Sequence, residues 1–302
     1  MQFESTVEAS FLTNSTDSDP FWQKKGDELK IHDNKPGSSR STEYSADLQM
    51  IRHSCKALRF VRSFHDYNSD ILKFVSSNTL ISDSAVYKGK LYELTVQREL
   101  YNKLRIGQLD VVGGAHDGGV DIKALWSLFP IFQGALDAGV IKEPSLPLKG
   151  TRINNTLVKP LVNQYDIKNK IAPSIEVLVQ CKAYVSKISP KEIRELAGTY
   201  LSLTAKNKAS LSTIPIMCSP QLPTSSSLKL LEKLNIPFLY LRINTLRHGS
   251  LNDFELTNTG QLMGYLMNPI LKGYLEGSGF EEWIKFELYN NAMNHSQDKD
   301  FI

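Results

Sequence analysis

The sequence predicts an α/β fold, in which helices cover a layered β-sheet. The first observation behind this prediction is an alternation of apolar strand patterns with helical patterns, at 176–182, 189–206, 213–218, 225–234 and 236–243. The second is a long helical pattern at 84–104 that precedes two short strand patterns, at 109–112 and 120–126. Because alternating strands and helices bury their apolar faces in a layered sheet, we expect one such domain in the middle of the chain.

Composition indicates a globular protein with tails. The chain has 302 residues, of which 41% are apolar, enough for a substantial core. The formal net charge is only +3, so any phosphate-binding surface must be local. Cys55, Cys181 and Cys218 show no C-x-x-C or Cys/His metal spacing, which argues against a disulfide framework or a zinc module and fits a reducing compartment. No apolar run approaches about 18 residues, so we expect no membrane span.

The N-terminal part divides into two segments. Residues 1–49 are rich in Ser, Thr, Asp and Lys without a hydrophobic period, and we expect them to be disordered. The segment 50–82 begins with a basic stretch without acids, from Met50 to Phe64, as is typical of mitochondrial transit peptides. We therefore predict a mitochondrial protein, with Met50 as the functional start or with an upstream extension before the import signal. An ordinary basic amphipathic helix is the alternative.

The helix at 84–104 is predicted to be capped by Ser82 or Ser84. Its candidate functional residue is Glu93. On one helical stripe this glutamate is joined by Gly89, Val96, Leu100 and Leu104. A carboxylate among core-facing positions suggests a functional role, whereas the alternative is a partly exposed acid paired with Lys90 or Gln97.

A glycine-rich turn joins the next two strands and reads Gly113-Gly-Ala-His-Asp-Gly-Gly-Val-Asp121. It places the carboxylate of Asp121 at the start of the second strand, beside a loop whose backbone can approach phosphate. We interpret His116 and Asp117 as turn residues, with contacts to phosphate or metal as the alternative. No helix follows the glycines, which excludes a dinucleotide-binding loop.

The strand at 176–182 ends in Gln180, Cys181 and Lys182. Since side chains alternate along a strand, Cys181 points to the same face as the preceding valines, and Gln180 and Lys182 point to the other. An amide and an ammonium group on an apolar strand are costly unless they meet a charge or a metal. Asp121 is the candidate carboxylate.

Four further elements follow from local patterns. Ser189-Pro-Lys-Glu192 is a capping box that begins the helix at 189–206. Within the long connection between Asp121 and Gln180 we expect a short strand at 155–161, in an insertion folded over the site. Near the C-terminus we expect helices at 259–273, with a break near Pro269, and at 281–293, both packed on the main domain.

Together, a helical Glu, the motif GG-x-x-D-x-G-x-D, a strand that ends in Q-x-K and a helix with Leu-Ala-Gly resemble the PD-(D/E)xK restriction-endonuclease-like superfamily. The Mrr-like branch is most similar, because it uses Gln where most members use Asp or Glu. The fungal mitochondrial proteins called "required for respiratory growth" are similar in size and motif order. The resemblance covers about residues 86–245. It implies a central mixed β-sheet flanked by helices at 83–245. The long connection at 127–174 departs from the simplest members and is interpreted as an insertion, and 246–302 lies outside the resemblance as a helical C-terminal extension packed on the domain.

This resemblance implies a metal-dependent DNA endonuclease that hydrolyses phosphodiester bonds in mitochondrial DNA maintenance. The implied catalytic residues are Glu93, Asp121, Gln180 and Lys182. The implied ligands of Mg²⁺, or of Mn²⁺ in its place, are the side chains of Glu93, Asp121 and Gln180 and the backbone carbonyl of Cys181. DNA is the implied partner, RNA is not excluded, and a homodimer is among the assemblies that such nucleases form.

Basic residues follow the site, and Lys187, Lys191, Arg194, Lys206 and Lys208 are candidates for contacts with a nucleic-acid backbone. Arg194, on the helix after the site, is the strongest of them, and solvated surface charge is the alternative for each. The rival function is a catalytically inactive nucleic-acid-binding or assembly protein of the same fold, needed for mitochondrial respiratory function. A metabolic phosphate-ester enzyme is less favoured, because no nucleotide-binding loop is present.

Overall fold

The computed structural model describes residues 65–78, 84–112, 118–206, 212–246, 256 and 259–297. Several predictions lie outside these ranges, namely the disordered segment 1–49, the basic stretch from Met50 to Phe64, the turn residues His116 and Asp117, and Lys208. Within the described ranges, no helix combines the length and the apolar character needed to cross a membrane.

Helices and strands alternate through most of the chain. The helices are α1 (Tyr67–Ser77), α2 (Ala85–Leu104), α3 (Phe129–Asp137), α4 (Pro190–Lys206), α5 (Ser225–Lys233), α6 (Pro269–Tyr274) and α7 (Phe280–Gln297). The strands are β1 (Gly107–Val111), β2 (Ile122–Trp126), β3 (Thr151–Ile153), β4 (Thr156–Val158), β5 (Ile175–Cys181), β6 (Ser212–Ser219), β7 (Leu239–Ile243) and β8 (Leu262–Met267).

Six of these strands form one sheet in the order β1-β2-β5-β6-β7-β8. The pairs β5–β6 and β6–β7 are parallel, and the other three pairs are antiparallel. The predicted mixed sheet flanked by helices is therefore confirmed, while the assignment to the restriction-endonuclease-like fold stays a prediction.

The two faces of the sheet carry different helices. On one face, the valines of β5 and the isoleucines of β6 pack with α2, α3 and α7 in the larger core cluster. On the other face, Met217 of β6 and Tyr240 of β7 pack with α4 and α5. Because β5 and β6 are covered on both faces, both read as nearly continuous apolar runs, and an isolated polar side chain on them is conspicuous.

Helix α2 begins where the sequence predicts. The side chain of Ser84 accepts a hydrogen bond from the Tyr87 backbone N–H at 3.1 Å, which confirms Ser84 as the cap. Helix α1 lies in the segment 50–82 and packs on α2, since Ile71 is fully buried with Tyr87 and Leu91. That part of the segment is thus an ordered helix of the fold.

The predicted helix at 259–273 is wrong over its first half. Leu262–Met267 forms β8, which pairs antiparallel with β7 at the edge of the sheet. A short apolar run that is almost entirely buried has no period that separates a strand from a helix. The helix begins only at Pro269, after the cap at Asn268. The segment 246–302, expected to be a helical extension, therefore supplies a strand of the central sheet as well as α6 and α7.

The insertion at 127–174 contains α3 and the β3–β4 hairpin, whose second strand confirms the strand expected at 155–161. It leaves the sheet at Trp126 and returns at Ile175, and these two residues are paired. Asp121 lies at the other end of β2, about 16 Å away along the strand. The insertion extends the core through buried residues such as Leu161 and Val162. The insertion therefore packs at the end of the sheet opposite to Asp121, so the expectation that it folds over the site is wrong.

Candidate functional site

Asp121 and Gln180 lie at the same end of the β2–β5 pair. Ile122 is paired with Val179, and the Asp121 backbone N–H donates to the Val179 carbonyl at 2.9 Å. Ile122 and Asp121 therefore both face Val179, so the pairing shifts by one residue at Asp121, as in a β-bulge. Gly119, two residues before Asp121, lies against the Gln180 amide, so the structure brings the glycine turn, Asp121 and Gln180 to the same strand end.

The Asp121 carboxylate is held by the backbone of the neighbouring strand. Its Oδ2 accepts a hydrogen bond from the Cys181 N–H at 2.6 Å. A bond to an ionised acceptor is stronger than one between neutral groups. The carboxylate therefore has a fixed position at the point where β2 and β5 separate.

Gln180 is buried beneath the glycine turn, with only 4% of its surface exposed. Its partner in the register of β5 and β6 is Met217, so it faces α4. Gly119, at φ +83°, leaves the room for this amide, because a Cβ at that position would lie 3.2 Å from Gln180 Nε2. The other amide atom, Oε1, is buried without a hydrogen-bond partner among the described residues. An unsatisfied buried acceptor costs about 1–3 kcal/mol, and a bound cation is one way to satisfy it.

Thr199 of α4 holds the same turn from the other side. Its hydroxyl donates to the Gly118 carbonyl at 2.7 Å, across 81 residues of sequence. Because Gly118 and Gly119 lead directly into β2, this bond helps to fix the start of that strand. Thr199 was not among the predicted site residues, and its only signal in the sequence is its place directly after the Leu-Ala-Gly motif.

Cys181 points to the α2 face, as the alternation predicts, and packs against the larger core cluster. Burial raises the pKa of its thiol well above the usual range, and the nearby Cys218 thiol adds to this shift. The carboxylates of Asp121 and Glu93 raise the same pKa, whereas Lys90 lowers it. Both carboxylates therefore contribute negative charge around the end of β5, Asp121 from the start of β2 and Glu93 from α2.

Glu93 is bound to a lysine on its own helix. Its Oε2 lies 2.9 Å from Lys90 Nζ, and the two side chains are 19% and 38% exposed. The alternative interpretation of Glu93, a partly exposed acid paired with Lys90, is thus present. In the described contacts Glu93 meets neither Gln180 nor Lys182, so it approaches the site only from the Cys181 side.

Lys182 follows the last residue of β5. Its backbone N–H donates to the Cys218 carbonyl at 2.9 Å, and its Nζ lies 5.8 Å from the centre of the Tyr184 ring. The three basic residues beyond it, Lys187, Lys191 and Arg194, are exposed. Lys191 Nζ lies 3.7 Å from Glu195 Oε1, and such a surface pair adds little to stability.

Whether the residues at this strand end could bind a metal ion depends on the donor atoms that they offer. In the described parts of the chain, no three or more His, Cys, Asp or Glu side chains are grouped to hold a metal ion. The expected ligand set has only two carboxylates, Glu93 and Asp121, and its other donors are the Gln180 amide oxygen and the Cys181 carbonyl. All four are oxygens, as Mg²⁺ requires, and the unpartnered Gln180 Oε1 fits a cation.

The fold and this strand end define a mixed α/β protein with a carboxylate, a buried amide and a lysine at one end of its central sheet. A family model described as "Required for respiratory growth protein 7" matches residues 84–275, and the chain belongs to this family.

Curated relatives from three yeasts carry the name "Required for respiratory growth protein 7, mitochondrial". The chain is 98% identical to that of Candida glabrata over 253 residues, which are 84% of this chain and 100% of the relative. It is 38% identical to that of Saccharomyces cerevisiae over 232 residues, 76% of this chain and 95% of the relative. It is 40% identical to that of Zygosaccharomyces rouxii over 223 residues, 74% and 90% of the two chains. No solved structure matches the chain.

These relatives confirm the mitochondrial localisation that the sequence predicts. They also confirm the resemblance to the proteins required for respiratory growth, and their names support a role in that process. The wider restriction-endonuclease-like superfamily stays a prediction.

Proposed function

We propose that this mitochondrial protein is a metal-dependent endonuclease that hydrolyses phosphodiester bonds in DNA. The observation that carries the proposal is the placement of Asp121 and Gln180 at one strand end, where the buried Gln180 amide oxygen has no hydrogen-bond partner among the described residues. Lys182 follows two residues later. A carboxylate, a spare oxygen ligand and an ammonium group at one strand end are the groups that phosphodiester hydrolysis requires.

In this proposal Asp121, Gln180 Oε1 and the Cys181 carbonyl would hold Mg²⁺, with Mn²⁺ as a substitute, and Glu93 would join them only by releasing Lys90. When bound, the ion supplies positive charge beside the phosphate and a water molecule of lowered pKa. The Cys181 N–H keeps Asp121 from rotating away from the site. Lys182 would stabilise the negative charge that grows on the phosphate oxygens and would lower the pKa of the attacking water.

Charge balance sets how tightly a metal binds. Gln180 is neutral, and the Lys90 ammonium group already neutralises Glu93 at 2.9 Å. Asp121 is then the main source of negative charge at the site. We therefore expect weak metal binding by the protein alone and tighter binding once a substrate phosphate adds its own charge.

The same ion pair favours a second candidate function. A nucleic-acid-binding or assembly protein that has lost turnover has no need of a free Glu93, and here Lys90 occupies that carboxylate. The two candidates differ in whether Asp121 and Lys182 matter for cutting.

Cleavage of supercoiled plasmid and branched DNA in Mg²⁺, Mn²⁺ or EDTA separates the candidates. Wild type should cut with either metal and not in EDTA, and Asp121→Ala and Lys182→Ala should each cut at least ~100-fold more slowly. The matched controls Asp137→Ala and Lys233→Ala alter exposed residues of α3 and α5 and should cut like wild type. Equal DNA binding without cutting by all five proteins establishes the second candidate.

A further inference from the structure

We propose that Tyr184 is a platform on which an unpaired nucleobase stacks, so that the preferred substrate is DNA with a locally unpaired strand. This inference rests on the proposed function, because it names the substrate class of the same site. The platform belongs to the loop between β5 and α4, residues 182–189, which we call the Tyr184 loop.

The Tyr184 loop exposes two large apolar side chains in succession. Tyr184 is 41% exposed and Val185 is 93% exposed, the highest value among the large apolar residues that the structure describes. Adjacent apolar side chains held in water at the edge of a site are typical of a surface that is covered when a ligand binds.

Both ends of the Tyr184 loop are tethered, so the platform is preorganised. At its start, the Lys182 N–H donates to the Cys218 carbonyl at 2.9 Å. Near its end, the buried Ile188 donates to the Leu222 carbonyl at 3.1 Å, and its own carbonyl accepts the Ser227 hydroxyl at 2.8 Å. A ligand that stacks on a fixed ring loses less ordering entropy than one that must first order a mobile loop.

The Tyr184 ring is coupled to the candidate catalytic lysine. Lys182 Nζ lies 5.8 Å from the ring centre, within the range of a cation–π contact. Two residues of extended chain span at most about 7 Å. A nucleotide whose phosphate lies against Lys182 therefore has a base within reach of Tyr184.

The charges around the loop suit a polyanion, although the whole chain carries only +3. Lys187 and Arg194 are exposed on the loop and on the first turns of α4. The acids nearby are engaged, because Glu192 accepts hydrogen bonds from Ser189 and Glu195 is paired with Lys191. Proteins that bind single strands combine aromatic rings, on which the bases stack, with basic residues that neutralise the phosphates.

An anionic membrane surface also attracts lysines beside tyrosine and valine. The position of Lys182 favours DNA, because this lysine contacts the Tyr184 ring and also follows the strand end that carries Asp121 and Gln180. A membrane surface gives no reason for the platform to stand at that strand end.

The test measures binding of the full chain in EDTA, where no cutting occurs. Fluorescence anisotropy compares a fully paired duplex with the same duplex carrying a three-nucleotide bulge. Wild type should bind the bulged duplex about 10-fold more tightly, and Tyr184→Ala should lose this preference, since stacking on one aromatic ring is worth roughly 5- to 100-fold per base. Tyr184→Phe should keep it. Leu157→Ala, at an exposed apolar residue of β4, is the matched control and should bind like wild type.

Three outcomes overturn the inference. Equal preference for the bulge in wild type and Tyr184→Ala removes the platform but leaves the nuclease proposal intact if cutting still depends on Asp121. Binding of vesicles rich in anionic lipid, lost in Tyr184→Ala while DNA binding is unchanged, assigns the loop to a membrane. Absence of DNA binding by wild type, together with absence of cutting, overturns both proposals.

Discussion

Asp121 and Gln180 lie at the same end of the paired strands β2 and β5, and within the described residues the Asp121 carboxylate has a hydrogen-bond donor whereas the Gln180 amide oxygen has none. Asp121 Oδ2 takes the Cys181 N–H, whereas Gln180 Oε1 is buried with no partner among the described residues. A native fold tolerates such an acceptor where function requires it. Four experiments follow from this site and from the contacts that support it.

Replacement of Gln180 by leucine should separate stability from activity. Gln180→Leu removes the unpartnered acceptor and keeps a similar volume, so the free energy of unfolding should stay unchanged or rise by up to about 2 kcal/mol. Cutting should be lost, because the oxygen ligand is gone. Urea denaturation and plasmid cleavage measure the two quantities. A loss of stability above about 1 kcal/mol would mean that the amide is satisfied in solution.

Removal of the Thr199 hydroxyl should slow turnover more than it weakens binding. Thr199→Val loses the bond to the Gly118 carbonyl, which should cost about 1 kcal/mol of stability and loosen the turn before Asp121. Steady-state cleavage should show a lower kcat with little change in KM, and Thr199→Ser should restore kcat.

The matched control for this change is Thr204→Val on the same helix. Thr204 donates to the Tyr200 carbonyl at 2.8 Å, within α4 and away from the turn. The Thr204→Val substitution should therefore leave kcat unaltered. If both valine variants lower kcat equally, Thr199 acts only through the stability of α4.

Arg98 should be among the most important residues for folding. It is 3% exposed, pairs with Glu99, and donates to the carbonyls of Leu256, Thr259 and Gly260 at 2.8–3.0 Å. Arg98→Ala leaves Glu99 buried without its cation and should cost about 3–5 kcal/mol.

Arg98→Lys should rescue little of this loss, because an ammonium group lacks the planar fork of donors that reaches several carbonyls at once. Arg152→Ala, at an exposed arginine of β3, is the control and should fall within about 0.5 kcal/mol of wild type. Thermal unfolding monitored by circular dichroism ranks the three variants. If Arg98→Ala were as stable as wild type, the ion pair and hydrogen bonds of Arg98 would not contribute to folding stability.

Glu192 should make stability depend on pH in the acid range. Burial opposes ionisation of this carboxylate, but hydrogen bonds from Ser189 outweigh it and hold the pKa of Glu192 below its usual value of 4.5. The ionised form therefore contributes stability above pH 4.5, and this contribution is lost as pH falls through the lowered pKa.

Glu192→Gln should remove this part of the pH dependence. Urea midpoints of wild type and Glu192→Gln should converge as pH falls from 6 to 3, whereas Glu232→Gln, at an exposed residue of α5, should run parallel to wild type. A constant difference between wild type and Glu192→Gln over this range would show that the capping box does not depend on charge.

The elements around the site were predictable because their signals are local. Period 2 along 176–182 sets the faces of Gln180 and Cys181, and the hairpin after the glycines brings Asp121 to the neighbouring strand. Ser84 and the Ser189–Glu192 box fix where two helices begin. Each of these inferences needs only residues within one or two elements.

The rest depends on partners that are far apart in the sequence. Strand β8 is a fully apolar run whose identity is decided by the free edge of β7. Arg98 donates hydrogen bonds to carbonyls 158 to 162 residues away. Because every residue has a backbone carbonyl, the sequence does not mark which carbonyls accept these bonds. Thr199 likewise meets a carbonyl, that of Gly118. For Glu93, the neighbouring Lys90 was visible in the sequence, but the competition between that lysine and a metal is a question of energy.

The β3–β4 hairpin offers a practical handle on this molecule. Its tip, Asn154 and Asn155, turns through positive φ angles of 48° and 64°, and it belongs to the insertion that departs from the sheet at Trp126 and rejoins it at Ile175. A dye or a surface anchor attached there would keep the strand ends at Asp121 and Lys182 unobstructed. Single molecules tethered in this way could be observed while they engage long DNA.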